Sequence, residues 1–144
     1  MTLPVVSKDF LSNINDEVME DATILFTDTR GSLQHVTIVA AAVYEDFLDE
    51  GFMFDGSSIA GLKSIEASDM KLMPDTTTAY VDPFYAEKTI AIHCSVVEPD
   101  TGEAYERDPR GTAEKAEAEL KDSGTGDSAV TGPEAEVFLF GAVK

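Results

Sequence analysis

The chain has 144 residues, 43% of them apolar and 26% charged, the composition of one globular domain or of a domain with part of another. Its 28 acidic residues outnumber 10 basic ones for a net charge of −18, a surface that repels nucleic acid and anionic membranes. No apolar run approaches the roughly 20 residues of a membrane span, no signal peptide is read at the N-terminus, and the single Cys94 cannot form an internal disulfide, all of which agrees with the cytoplasm.

In chain order, Ser7 is placed to cap a short helix carrying Phe10, Leu11 and Ile14 on one face. Ala22–Phe26 has the composition of a buried strand, Thr27–Ser32 that of a hairpin turn, and Leu33–Val39 that of the return strand. On the return strand Leu33, His35, Thr37 and Val39 share one side, and Gln34, Val36 and Ile38 the other. A helix is expected over Ala40–Glu50, with Val43, Phe47 and Leu48 as its buried stripe and Gly51 as its stop. Gly51-Phe-Met-Phe-Asp55 then reads as a short buried strand. It is broken at Asp55-Gly56, where glycine permits a positive φ and the aspartate caps its own turn. The loop through Ser57, Ser58 and Gly61 is expected to project from its domain.

Beyond the loop, strands are expected at Asp69–Met73, Thr77–Val81 and Thr89–Val97. The last has Ile90, Ile92, Cys94 and Val96 on one side and Ala91, His93, Ser95 and Val97 on the other. Asp108 and Pro109 open a helix through Ala113, Ala116 and Leu120, with a Glu117–Lys121 pair and a stop at Gly124. A final strand is expected at Glu134–Phe140, placing the carboxylates of Glu134 and Glu136 on one side. Hard divalent cations take oxygen ligands, so this pair is a candidate metal site. His35 and His93 lie on separate strands with no ligand spacing, Cys94 reads as a core residue, and no Walker-type loop is present. The pattern is that of an α+β domain with a mixed sheet and short helices.

Several segments in order carry a closer resemblance: Phe26-Thr-Asp-Thr-Arg-Gly31 with Gln34-His-Val-Thr37, Phe54-Asp-Gly-Ser-Ser-Ile59, Ser68-Asp-Met70, Leu72-Met-Pro-Asp75, Arg107-Asp-Pro-Arg110, and Gly132-Pro-Glu-Ala-Glu-Val-Phe-Leu-Phe140. From about Ile24 to Phe140 the chain resembles the N-terminal region of bacterial-type glutamine synthetases. The resemblance implies a β-grasp-like domain over residues 1–106. Residues 107–144 would be the truncated start of the catalytic domain, an incomplete second domain of one helix and one strand.

It also implies a chemistry. The family activates glutamate with ATP to γ-glutamyl phosphate, which ammonia then attacks. The matching loop enters the active site of a neighbouring subunit in a ring homo-oligomer. By that resemblance Asp55 and Ser58 form the ammonium site, Asp69 supports it, and Glu134 and Glu136 are ligands of Mg²⁺ or Mn²⁺. The chain departs from the family at Leu62, where tryptophan is usual, and at Ala135 and Val137, where proline and phenylalanine are usual.

The family's remaining metal ligands, ATP cleft and cationic clamp lie beyond Lys144. The isolated chain is therefore expected to be inactive and to bind neither metal nor ATP tightly. Two readings stay open: the N-terminal portion of a glutamine synthetase, or a stand-alone short paralogue that binds full-length rings as an assembly module. Against the second stands the expected strand Glu134–Phe140, an edge without its partners.

Overall fold

The computed structural model describes residues 19–43, 45–59, 61–62 and 68–142, so the helix expected around Phe10, Leu11 and Ile14 lies outside the described residues. The chain divides into two compact units, Met1–Glu114 and Lys115–Lys144.

The first unit is built on a mixed sheet. Strands β1 (Asp21–Thr27) and β2 (Leu33–Val39) form the expected antiparallel hairpin. Asp28, only 4% exposed, holds its turn: the carboxylate accepts from the N–H groups of Arg30 and Ser32 and from Gln34 Nε2, each at 2.9 Å. After β2 come a 3₁₀ turn (Ala40–Ala42) and helix α1 (Glu45–Glu50), then β3 (Phe52–Asp55), β4 (Asp69–Pro74), β5 (Tyr80–Asp82) and β6 (Thr89–Val97). The sheet order is β2-β1-β6-β4-β3, with β5 paired to β6 beside this path. Among the described residues, β1 and β6 run parallel and the other pairs are antiparallel.

β6 is the spine, because its alternating apolar side is matched on both flanks. Ile92 lies opposite Ile24 of β1, and Val96 opposite Leu72 of β4. Ile90, Ile92, Cys94 and Val96 are each at most 1% exposed, and they share the core with Ala22, Ile24, Phe26, Met70, Leu72, Val43, Phe47 and Tyr105. Full burial of such a side chain stabilises by about 1.5–3 kcal/mol, so this face contributes strongly to the core. On β2 the alternation also separates as expected, with Val36 and Ile38 against the core and Leu33, His35, Thr37 and Val39 outside.

Four expectations change. The helix over Ala40–Glu50 is two pieces, because Val43 between them is extended (φ −90°, ψ 105°); Val43 and Phe47 are buried all the same. The strand at Thr77–Val81 starts later. Asp75 accepts from Thr77 N–H at 3.0 Å and Thr77 Oγ1 at 2.6 Å, which caps a 3₁₀ turn over Thr76–Thr78. β3 is an edge strand, half buried: Phe52 and Phe54 pack on the core while Met53 and Asp55 face out.

The fourth change is the largest. Glu134–Phe140 is not a strand but irregular chain, with Val137, Phe138, Leu139 and Phe140 from 75% to 96% exposed. A strand exists through its ladder, and among the described residues nothing pairs with this segment. The preceding helix α2 (Pro109–Asp122) does form, with the Glu117–Lys121 pair at 2.8 Å and Gly124 at φ 69° beyond its end. Among the described residues, no helix is long and apolar enough to cross a membrane.

Candidate functional site

The turn after β3 is built by alternation. Phe54 points inward, its ring centroid 5.1 Å from that of Phe26, so Asp55 points outward and is exposed. Glycine at 56 is needed for a reason other than the expected positive φ, which it does not adopt. A Cβ there would lie 2.6 Å from Met70 Cγ and 3.1 Å from the Ser68 carbonyl oxygen. Gly56 instead lies flat on β4 and donates its N–H to that carbonyl at 2.7 Å. Asp55 then caps a 3₁₀ turn over Gly56–Ser58, accepting from Ser57 N–H at 2.9 Å and from Ser57 Oγ at 2.6 Å. The Gly56–Ser58 turn is thus tied to its own sheet. Leu62, 3% exposed, belongs to the domain's own core.

The register adds a second carboxylate. Asp55 lies opposite Asp69 across β3 and β4. Because Gly56 bonds Ser68, the Asp55–Asp69 position is a non-hydrogen-bonded pair, where opposed Cα atoms are only about 4.5 Å apart and side chains come closest. Both residues are exposed. The Ser57 hydroxyl first and the Ser57 N–H second, with help from the Ser68 and Ser58 hydroxyls, outweigh desolvation and hold the Asp55 carboxyl below the ordinary 3.8. The structure therefore brings Asp55, Ser58 and Asp69 onto one small face. It adds Ser57 and Ser68, which the sequence reading did not single out; the signal available for Ser57 was its place two residues after a turn-capping aspartate. An ionised Asp55 carboxylate beside hydroxyl groups is an arrangement able to accept hydrogen bonds from a small cation.

The other candidates lie elsewhere. Glu134 and Glu136 belong to the second unit, exposed on irregular chain, so no strand sets both carboxylates to one side. Among the described residues there is no group of three or more His, Cys, Asp or Glu able to hold a metal ion. In the isolated chain, two glutamates on irregular backbone would leave most of a divalent ion's coordination positions unfilled. His35 and His93 both flank Leu25, on opposite sides of β1, which keeps them apart. Burial and the Arg110 charge pull His93 below the ordinary 6.5, against Asp75. Burial pushes the Cys94 thiol up to about 12, as befits a core residue and not a nucleophile. Arg110 is engaged by Asp75, by Glu114 at 3.2 Å and by Ser95 Oγ at 3.2 Å.

The family described as "Glutamine synthetase, beta-Grasp domain" matches residues 19–99. A glutamine synthetase of Cereibacter sphaeroides is 66% identical over 136 residues, covering 94% of this chain and 29% of its own length. One of Rhodobacter capsulatus is 62% identical over 137 residues, covering 95% of this chain and 31% of its own. The chain thus spans less than a third of the relatives it matches. The fold is shared with a solved Plasmodium falciparum glutamine synthetase at a TM-score of 0.73 and 21% identity, over 85% of this chain and 24% of that one. With its mixed sheet and its Phe54–Ile59 turn inside the matched region, the chain belongs to the glutamine synthetase β-grasp domain family.

Proposed function

We propose that the chain is the N-terminal portion of a glutamine synthetase, divided as residues 1–106 and 107–144, and that its Asp55 turn completes the ammonium site of a neighbouring subunit in a cytoplasmic ring homo-oligomer. The observation that carries this is the exposed Asp55 carboxylate, kept ionised by Ser57 and opposed by Asp69. A depressed pKa suits holding NH₄⁺ by charge-assisted hydrogen bonds better than keeping its proton, so Asp55 binds and orients the cation and Ser58 adds an acceptor. The net charge of −18 repels ATP and glutamate, so their cationic partners come from outside this chain. When bound in the complete family member, Mg²⁺ or Mn²⁺ would polarise the phosphates of ATP. Glu134 and Glu136 are the residues proposed to face that ion once neighbouring strands order their segment. Alone, the chain is inactive.

The test is a fusion of residues 1–144 to the remainder of the Cereibacter sphaeroides relative, assayed for ATP- and ammonium-dependent glutamine formation. Asp55→Asn is expected to lower the rate by about 10²–10³-fold, as for loss of one electrostatic stabiliser. An Asp55→Asn fusion that works as well as the unsubstituted one overturns the proposal.

A further inference from the structure

The Asp55 turn is tied at its near end to β4; its far end is tied from a distant part of the sequence. Tyr105 is 7% exposed, and its phenol O–H donates to the carbonyl of Leu62, 43 residues away. The residue's backbone is held on the other side: Tyr105 N–H donates to the Val96 carbonyl at 2.9 Å, and its carbonyl accepts from Asp108 N–H at 3.0 Å. Tyr105 is thus anchored through its backbone to β6 and to the residue that caps α2.

We propose that Tyr105 is the positioning residue of the Asp55 turn, setting it from the segment that leads into α2 through its hydroxyl alone. The assignment of a purpose to that tie rests on the functional reading above. A phenylalanine would fill the same space in the core, so what the hydroxyl adds is the bond to Leu62, whose residue is 3% exposed. A buried carbonyl left without a donor is unfavourable enough to displace the backbone that carries it. From Leu62 the constraint passes along backbone bonds: Leu62 N–H to the Ile59 carbonyl at 3.1 Å, Ile59 N–H to the Gly56 carbonyl at 3.2 Å, Gly56 N–H to the Ser68 carbonyl at 2.7 Å. That chain ends beside the Asp55–Asp69 pair. It keeps the Ser57 N–H and hydroxyl aimed at the Asp55 carboxylate, the bonds that fix its charge and direction.

The experiment is Tyr105→Phe in the full 144-residue chain, read by NMR. The Ile59 and Leu62 amides are expected to exchange at least about tenfold faster while those of Ile92 and Val96 stay within about twofold. The Asp55 carboxyl is expected to titrate closer to 3.8, while Asp28, lowered by its own turn, does not move. Core amides and Asp28 shifting together with the turn, or a turn that does not respond, overturns the proposal. Should the variant not fold, the unsubstituted chain decides. A slowly exchanging Tyr105 hydroxyl proton with a contact to Leu62 supports the tie, and one exchanging at solvent rates overturns it. In the fusion, Tyr105→Phe raises the ammonium KM about tenfold with kcat and the ATP KM unchanged; a uniform fall in kcat contradicts positioning. An unsubstituted fusion without ammonium-dependent activity removes the functional reading, while the exchange and titration results still decide what Tyr105 does.

Discussion

Asp55 and Asp69 face each other as a non-hydrogen-bonded pair of β3 and β4, the position at which an antiparallel ladder brings opposed Cα atoms closest. Like charges directly opposite destabilise a strand pair, so the sheet tolerates the arrangement at a loss of stability. Asp69→Asn is expected to raise the thermal unfolding midpoint of the chain, measured by circular dichroism. In the fusion the same change raises the ammonium KM by about tenfold while the glutamate and ATP KM stay put. A lower midpoint together with unchanged kinetics would show the pair to be structural.

The acid profile of stability has two parts. His93 is held below 6.5 in the folded chain by burial and by Arg110, so protonation favours unfolding, and stability falls as pH drops from 6.5 through the folded value. Asp28 is held below 3.8 by the Ser32 N–H, then by Gln34 Nε2 and the Arg30 N–H, and Asp55 by Ser57. Their contributions are present above 3.8 and are lost as pH falls below it. Urea unfolding from pH 8 to pH 3 is expected to show both steps, and His93→Gln should erase only the upper one.

Asp108 is 1% exposed and does two jobs with one carboxylate. Oδ1 accepts from Arg110 N–H at 3.2 Å; Oδ2 accepts from Gly111 N–H and, across to β6, from Val96 N–H, both at 3.1 Å. Asp108→Ala removes a helix cap and leaves a buried strand N–H without its partner, for a loss of about 2–4 kcal/mol. Asp108→Asn recovers only part of it, because an amide has one acceptor oxygen to offer three donors. Equilibrium denaturation of both variants checks the order.

Gly61 sits at φ 84°, and a Cβ on it would lie 2.8 Å from Thr29 Oγ1. Gly61→Ala is expected to destabilise the chain by about 1–2 kcal/mol from the backbone conformation alone. Because Thr29 belongs to the β1–β2 turn, Thr29→Gly combined with Gly61→Ala should recover the steric part and not the backbone part. A double-variant cycle by denaturation separates the two.

Calorimetric titration of the chain with Mg²⁺ or Mn²⁺ is expected to give only weak binding, with Kd above about 0.1–1 mM, since Glu134 and Glu136 are held by no ladder. In the fusion, Glu134→Ala and Glu136→Ala each should raise the metal concentration needed for half-maximal activity. A micromolar site in the isolated chain would overturn this account of the pair.

The sequence by itself determined what repeats along a strand or closes within a few residues. The alternation of Thr89–Val97 and Leu33–Val39, the hairpin turn at Thr27–Ser32, the N-cap at Asp108 and the turn at Asp55 were all legible, because each depends on side-chain period or on neighbours within about four positions. The breaks at Val43 and at Thr76–Thr78 were not, since propensity does not say where a chain must bend to meet its core. Only the tertiary structure decided which residues meet across the sheet: Asp55 with Asp69, Tyr105 with Leu62, Asp108 with Val96. It also decided that Gly56 is there for space and not for φ, and that Glu134–Phe140, strand-like in composition, stays irregular. The physical reason is the same throughout. A period belongs to one segment, whereas a ladder or a buried hydrogen bond belongs to two, and the second partner is supplied only by the fold.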